Sequence, residues 1–232
     1  MGQLLRGVDL AKIELTNVSY VEDDLILLNN ITVSIDQGEL FMIRGSSLKE
    51  GRALIHIIHH LIKPIEGTVR LVFEEDEQEW IGSNCIPMIS EFTVEEVLTL
   101  PLVSKGYTKK EVRSRIDEVA SYFSIDALLK KRVSELTDAE LSLVGVSKAV
   151  IAEPSLIILD SFSKALDHKV AVLVMTYLHE ISVDYQVTVV MLENDTRLHP
   201  FAGKILHLEK GYIKDLVGEG VDLQKLMPFL KI

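Results

Sequence analysis

The sequence predicts an α/β fold: a mixed sheet with flanking helices, a helical segment inserted between its two halves, and an antiparallel β region near the N-terminus. Three observations lead there. Glu39–Arg44, Leu156–Asp160 and Thr188–Leu192 are short, nearly continuous apolar runs, the pattern of strands buried on both faces. Between Gln37 and Gly67 a strand, a polar turn opening with Gly45 and a helix follow one another without a break. From Pro87 to about Val150 the period turns helical before the strand signal returns.

Each element has a local reason. Ile13–Tyr20 and Leu27–Ile35 are strands, the second alternating Leu27, Ile31, Val33, Ile35 against polar Asn30, Thr32 and Ser34, and Asp23-Asp24 makes a hairpin turn between them. The strand Glu39–Arg44 leads through its turn to a helix over Gly51–Ile62, closed by Lys63-Pro64 and Gly67. Gly67–Phe73 and Trp80–Cys85 are strands around the acidic link EEDEQE, expected as a solvated hairpin tip. Thr93 with Glu96, Thr108 with Glu111 and Thr137 with Glu140 carry capping-box spacing at three helix starts, and Ala127–Lys131 is a short basic-ended helix. Leu156–Asp160, a helix over His168–Ile181, Thr188–Leu192, a short helix near Thr196–Ala202 and Lys204–Leu208 complete βαβ units. Gly211 turns a last hairpin, and Val221–Leu230 forms a last short helix.

Bulk properties bound the function. The 232 residues are 47% hydrophobic and 25% charged, so a packed core is expected and disorder is not. With 35 acidic against 24 basic residues the net charge is −11, which argues against a nucleic-acid partner. The lone Cys85 has no internal disulfide partner and suits a reducing compartment. The opening MGQLLRGVDLAKIEL lacks the apolar core of a signal peptide, and no run approaches the ~20 apolar residues of a membrane span. The expectation is a soluble, unexported protein, which leaves docking on a membrane protein open.

Strand, glycine turn and helix form the scaffold of a phosphate-binding loop, in which backbone N–H groups and the helix N-terminus hold an anion. The pattern G-x-x-x-x-G-K-[ST], counted from Gly45, puts Glu50 at the second glycine, Gly51 at the lysine and Arg52 at the hydroxyl. The scaffold is present and its ligands are missing. A one-residue slip would bring Arg52, with Lys49 nearby, to the lysine's place. His56, His59 and His60 share a helix face at metal-ligand spacing, but no carboxylate or cysteine is spaced with them, and packed histidines are the expectation. Asp160 ends a buried strand and needs a donor, with Ser47 and Arg52 as candidates; Ser161 with His168 has no third residue to orient it as a nucleophilic pair.

Taken in order, these elements resemble the ATPase subunit of ATP-binding-cassette (ABC) transporters, closest to the small subunits of the lipoprotein-release, macrolide-export and cell-division type. The likeness runs from about Ile13 to Leu216. It is carried by LLNNITVSIDQGELFMIRG, LIKPIEGTVRL, FTVEEVLTLPL, RVSELTDAELSLVGVSKAVIAEPSLIILDSFSKALD and TVVMLENDTRLHPFAGKILHLEKGYI. The resemblance implies a P-loop NTPase-like ABC core. Residues 1–232 form one domain, with a core lobe of about 1–87 and 151–232 and a helical lobe of about 88–150.

The resemblance also assigns a task to each motif, and nearly every one is altered. The signature usually written LSGGQ is Leu136-Thr137-Asp138-Ala139-Glu140, so Asp138 and Ala139 replace the paired glycines. Ser161 stands at the catalytic glutamate, Phe162 at the proline after it and Asn194 at the switch histidine. The glutamine of the connecting loop has no counterpart in SNCIPMISEF, and the adenine-stacking aromatic falls near Glu22, two residues from Tyr20. Gly45, Asp160 and Asp167 survive.

The implied reading is a pseudo-ATPase: a non-hydrolysing module with no catalytic residue, no metal and no cofactor. Gly45, Ser46, Ser47, Gly51, Arg52, Ala53 and Asp160 are the vestige of its nucleotide site. The alternatives are a divergent subunit that binds and hydrolyses ATP with Mg²⁺ through Arg52, or a soluble regulator reusing the fold. The partner implied is a membrane-embedded transporter-like subunit at the cytoplasmic face, seated in a groove that includes Pro87–Pro101. Its apolar residues Ile89, Phe92, Val94, Val97 and Leu100 line that groove or belong to the core. The chain either forms a heterodimer with a competent ATPase subunit or self-associates as a homodimer; because Glu50 and Asp138 would meet and repel across the usual face, a weak or rearranged homodimer, or a monomer, is expected.

Overall fold

The computed structural model describes residues 12–73 and 81–218. The strands β1 (Lys12–Glu22), β2 (Leu25–Ile35) and β4 (Glu66–Val72) form an antiparallel sheet in the order β2-β1-β4. The strands β3 (Leu40–Gly45), β5 (Ile81–Ser83), β6 (Leu156–Asp160), β7 (Thr188–Leu192), β8 (Lys204–Glu209) and β9 (Tyr212–Val217) form the main sheet, ordered β5-β6-β7-β3-β8-β9. Its first five strands run parallel and β9 closes the edge antiparallel to β8. Asp23 and Asp24 both take positive φ (49° and 62°), the two-residue hairpin geometry that matches strand twist.

Neighbouring residues of the parallel strands send side chains to opposite faces, and each face has its own core. Phe41, Ile43, Ile158 and Leu192 face the helix α1 (Leu48–Ile58) and the inner side of the antiparallel sheet. Leu40, Met42, Leu159 and Met191 face the helices α2 (Val94–Ser104), α4 (Asp138–Val150) and α5 (His168–Tyr185). Burying each such aliphatic side chain contributes about 1.5–3 kcal/mol, which is why the runs are apolar on both sides. The helix α1 is thus held between two sheets, and its N-terminus meets the C-terminal ends of the parallel strands.

Three expectations change. The strands β4 and β5 are not a hairpin: β4 pairs with β1 and β5 with β6, in different sheets. Gly67 does not stop a helix. It lies in β4 at φ +83°, where a Cβ would come within 2.3 Å of the Asn17 carbonyl oxygen, so the β1–β4 approach itself requires glycine. The helix expected from Gly51 starts three residues earlier, at Leu48, and ends at Ile58 as His60 turns to φ +57°. The acidic link, Trp80 and the expected helix at Val221–Leu230 lie outside the described residues.

The predicted capping boxes are all present: Thr93, Thr108 and Thr137 accept from Glu96, Glu111 and Glu140 backbone N–H groups, and each glutamate accepts in return. The Thr137 N–H and then Lys131 hold the Glu140 carboxyl down at about 2. Its folded value is depressed, so its contribution is complete above the ordinary 4.5 and is lost as pH falls toward 2. A Glu140→Gln variant is expected to flatten the acid limb of stability over that window, measured by urea unfolding at stepped pH; an unchanged acid limb would show that the cap carries no such linkage.

Candidate functional site

Four strand ends converge at the C-terminal edge of the parallel sheet, where the strand order turns around β3, the usual place for a ligand in such sheets. Short backbone bonds tie them. The Ser46 N–H donates to the Leu208 carbonyl (3.0 Å), the Ser161 N–H to Leu192 (2.9 Å) and the Glu193 N–H to Ile43 (2.9 Å). Gly45, Asp160 and Asn194 therefore lie at one edge, as their motif positions imply.

The turn after Gly45 is already satisfied from within. Ser47, extended at φ −129°, caps α1, and its hydroxyl accepts from the Glu50 N–H at 3.4 Å. Glu50 Oε2 accepts from the Ser46 hydroxyl (3.0 Å) and the Ser47 N–H (3.3 Å), while Oε1 accepts from the Gly211 N–H (3.1 Å) in the β8–β9 turn. The Gly45 N–H donates to Asn194 Oδ1 (3.3 Å). The amides of Gly45, Ser46 and Ser47 thus each have an internal acceptor. A phosphate-binding turn needs those donors open. The carboxylate is only 6% exposed and points inward, which corrects the expectation that Glu50 meets Asp138 across a dimer face; Asp138 itself is exposed.

The positions of the missing lysine and hydroxyl are filled too. A Cβ on Gly51 would sit 2.3 Å from Leu192 Cδ1, a side chain with no exposure, so any larger residue here requires Leu192 to shift. Arg52 is turned to Asp160, its Nε 2.6 Å from Oδ2 and Nη2 3.4 Å from Oδ1. That bond raises the guanidinium pKa above its usual value. Of the two donors proposed for Asp160, Arg52 is the one used. Asn84 clasps the backbone of Asp160, accepting from its N–H at 2.8 Å and donating to its carbonyl at 3.2 Å. Ala53 is buried in α1.

Of the remaining motif positions, Ser161 takes φ +47° and its hydroxyl is buried without a partner among the described residues, so it is not bonded to His168. Phe162 is 1% exposed and serves the core. Tyr20 packs against the core below the antiparallel sheet. His56 and His59 are partly buried, and desolvation lowers the pKa of both; no group of three metal-ligating side chains occurs among the described residues. Glu193, not singled out in the sequence, is 5% exposed with one oxygen donated to by the Asp195 N–H and the other without a partner among the described residues. The S-x-x-E spacing of Ser47 and Glu50 was a legible signal for the earlier helix start. Nothing local marks Asn84 or Leu192.

No family model matches the chain. Curated proteins similar to it include a methionine import ATP-binding protein of Paraburkholderia xenovorans, 25% identical over 183 residues, or 74% of this chain and 47% of that protein. The chain spans about half the length of the methionine-import relatives it matches. The lipoprotein-releasing system ATP-binding protein of Chromohalobacter salexigens is 21% identical over 205 residues, 83% of this chain and 86% of that one. Among solved structures, the dimeric bacterial ABC transporter cassette MJ0796 superposes with a TM-score of 0.82 at 24% identity, covering 90% of this chain and 99% of that one. The chain has the ATP-binding-cassette fold, and the resemblance to ABC transporter ATPase subunits holds. The relatives also correct one expectation, that of no cofactor: they are ATP-binding proteins, and ATP is the ligand class to which the likeness points.

The residues of this turn do not fit a nucleotide's phosphates as they stand, because a carboxylate occupies the donors and Arg52 is engaged by Asp160. The close approach at Gly51 is directly testable. Gly51→Ala gains about 1 kcal/mol of helix propensity but meets Leu192, where overpacking costs about 1–3 kcal/mol. A lowered urea midpoint is expected; a raised one would mean that Leu192 moves aside.

Proposed function

We propose that the chain is a non-hydrolysing ABC-type subunit, a binding module on a membrane-embedded transporter-like partner. The observation that carries this reading is the self-engaged turn. Phosphoryl transfer is catalysed by positioning and by charge stabilisation from a lysine, a metal-ligating hydroxyl and a water-orienting group. Here those places hold Gly51 packed on Leu192, Arg52 paired with Asp160, and Ser161. The Arg52-dependent ATPase is disfavoured by the same pair, since a guanidinium engaged with Asp160 is not available to a γ-phosphate.

A docking surface for the partner lies between the main sheet and α2. Of the apolar residues at 87–101, Val94 and Val97 are core, whereas Ile89 and Leu100 are each 50% exposed. With Ile86, Met88 and Phe92 they line a groove of about 430 Å³. We assign to it a helical segment of the membrane subunit, which places the chain at the cytoplasmic face as a peripheral protein. No helix among the described residues is long and apolar enough to cross a membrane. Pairing with a second cassette, identical or competent, is the assembly that the dimeric MJ0796 cassette supports.

Steady-state phosphate release from Mg-ATP is expected to stay at the buffer baseline. Robust turnover abolished by Asp160→Asn would overturn the reading. An Ile89→Asp, Leu100→Asp double variant is expected to keep its unfolding free energy within about 1 kcal/mol of the wild type's, as exposed substitutions usually do, and to lose co-purification with the native membrane subunit; retained co-purification would remove the groove from the proposal.

A further inference from the structure

We propose that the Glu50 carboxylate is the built-in occupant of an anion site, holding the turn closed and competing with any phosphate that approaches it. The inference deepens the proposed function and rests on its reading of Gly45–Arg52 as the vestige of a phosphate-binding turn. Three donors from two segments distant in sequence aim at one carboxylate that is 6% exposed: the Ser46 hydroxyl, the Ser47 N–H and the Gly211 N–H. Local capping accounts for the Ser47 bond alone. The Gly211 bond crosses 161 positions of sequence and fastens the turn to the β8–β9 hairpin. Gly211 is in turn anchored to β2, its carbonyl accepting from the Asn29 N–H at 2.7 Å. The geometry is therefore tertiary, and the Gly211 donor is held by β2 independently of Glu50.

A phosphate oxygen needs the same thing that Glu50 supplies: a negative oxygen facing convergent N–H and O–H donors at a helix N-terminus. With Glu50 in place, an incoming phosphate finds those donors occupied and a like charge beside it, and Arg52 is held by Asp160. This reconciles two findings that otherwise disagree, relatives that are ATP-binding proteins and a turn whose Gly45, Ser46 and Ser47 amides are engaged within the chain. The chain's affinity for a nucleotide is set by the cost of displacing its own carboxylate.

The test uses the full chain and inorganic phosphate as probe, with chloride adjusted to constant ionic strength, read by thermal unfolding. Glu50→Ala leaves the Ser47 and Gly211 amides and the Ser46 hydroxyl facing a vacated position. It is expected to be less stable than the wild type and to regain stability saturably with phosphate, at an affinity about tenfold or more above the wild type's, the worth of one charge-assisted hydrogen bond. Glu50→Gln keeps the size and one acceptor oxygen but not the charge, and shows the same direction of change if Glu50→Ala does not fold. Wild type responding to phosphate as strongly as the variants, or Glu50→Gln responding no more than wild type, overturns the proposal. Because the titration involves no hydrolysis, its failure leaves the non-hydrolysing reading standing, and ATP turnover by the wild type would sink that reading without deciding the role of Glu50.

Discussion

The buried carboxylate of Glu50 is the contact on which this end of the molecule depends. It reaches back to Ser46 and Ser47, fixing where α1 begins, and across to Gly211, fixing how the β8–β9 turn sits against that helix. A carboxylate this deeply buried is tolerated only when donors satisfy it, and removing one partner of such a set costs more than the bond itself is worth. Helix start, hairpin position and closure of the turn meet at this one side chain.

That arrangement is possible because α1 lies between two sheets. Its buried face, Ala53, Leu54, Ile55, Ile57 and Ile58, contacts the antiparallel sheet on one side and the parallel strands on the other. A helix clamped so has little freedom to slide, and the approach of Gly51 to Leu192 shows how close the clamp is. At Gly51 the helix lies so close to β7 that any side chain there requires Leu192 to shift.

Electrostatics at the edge are settled largely within the chain: Asp160 pairs with Arg52, and the Glu50 carboxylate takes donors from Ser46, Ser47 and Gly211. Asp160 is mostly buried and takes a partly exposed arginine, Arg52, as its partner. Pairs with one exposed member contribute little to stability, on the order of 1 kcal/mol or less. Their consequence is therefore chiefly chemical: the Asp160 carboxylate and the Arg52 guanidinium engage each other at the sheet edge. Asn84 adds to this by fixing the backbone on which Asp160 is carried.

The sequence by itself determined the elements and their order. Short continuous apolar runs bounded by turn residues read as strands buried on both sides, T-x-x-E spacing starts helices where it precedes an apolar period, and Asp23-Asp24 suits a two-residue turn. It also showed which chemical groups are missing from the turn, since residue identity needs no coordinates. Even the earlier start of α1 was written in Ser47 and Glu50, although the glycine-turn pattern pointed to Gly51. Only the tertiary structure decided which side chains meet at the turn. The partner of β4 being β1 rather than β5, the Gly211 amide on Glu50, Leu192 in the lysine's place and Asn84 on the backbone of Asp160 all join residues far apart in sequence. Periodicity and capping act over one or two turns of chain; these contacts depend on the order β7-β3-β8 and on how closely α1 is pressed against it.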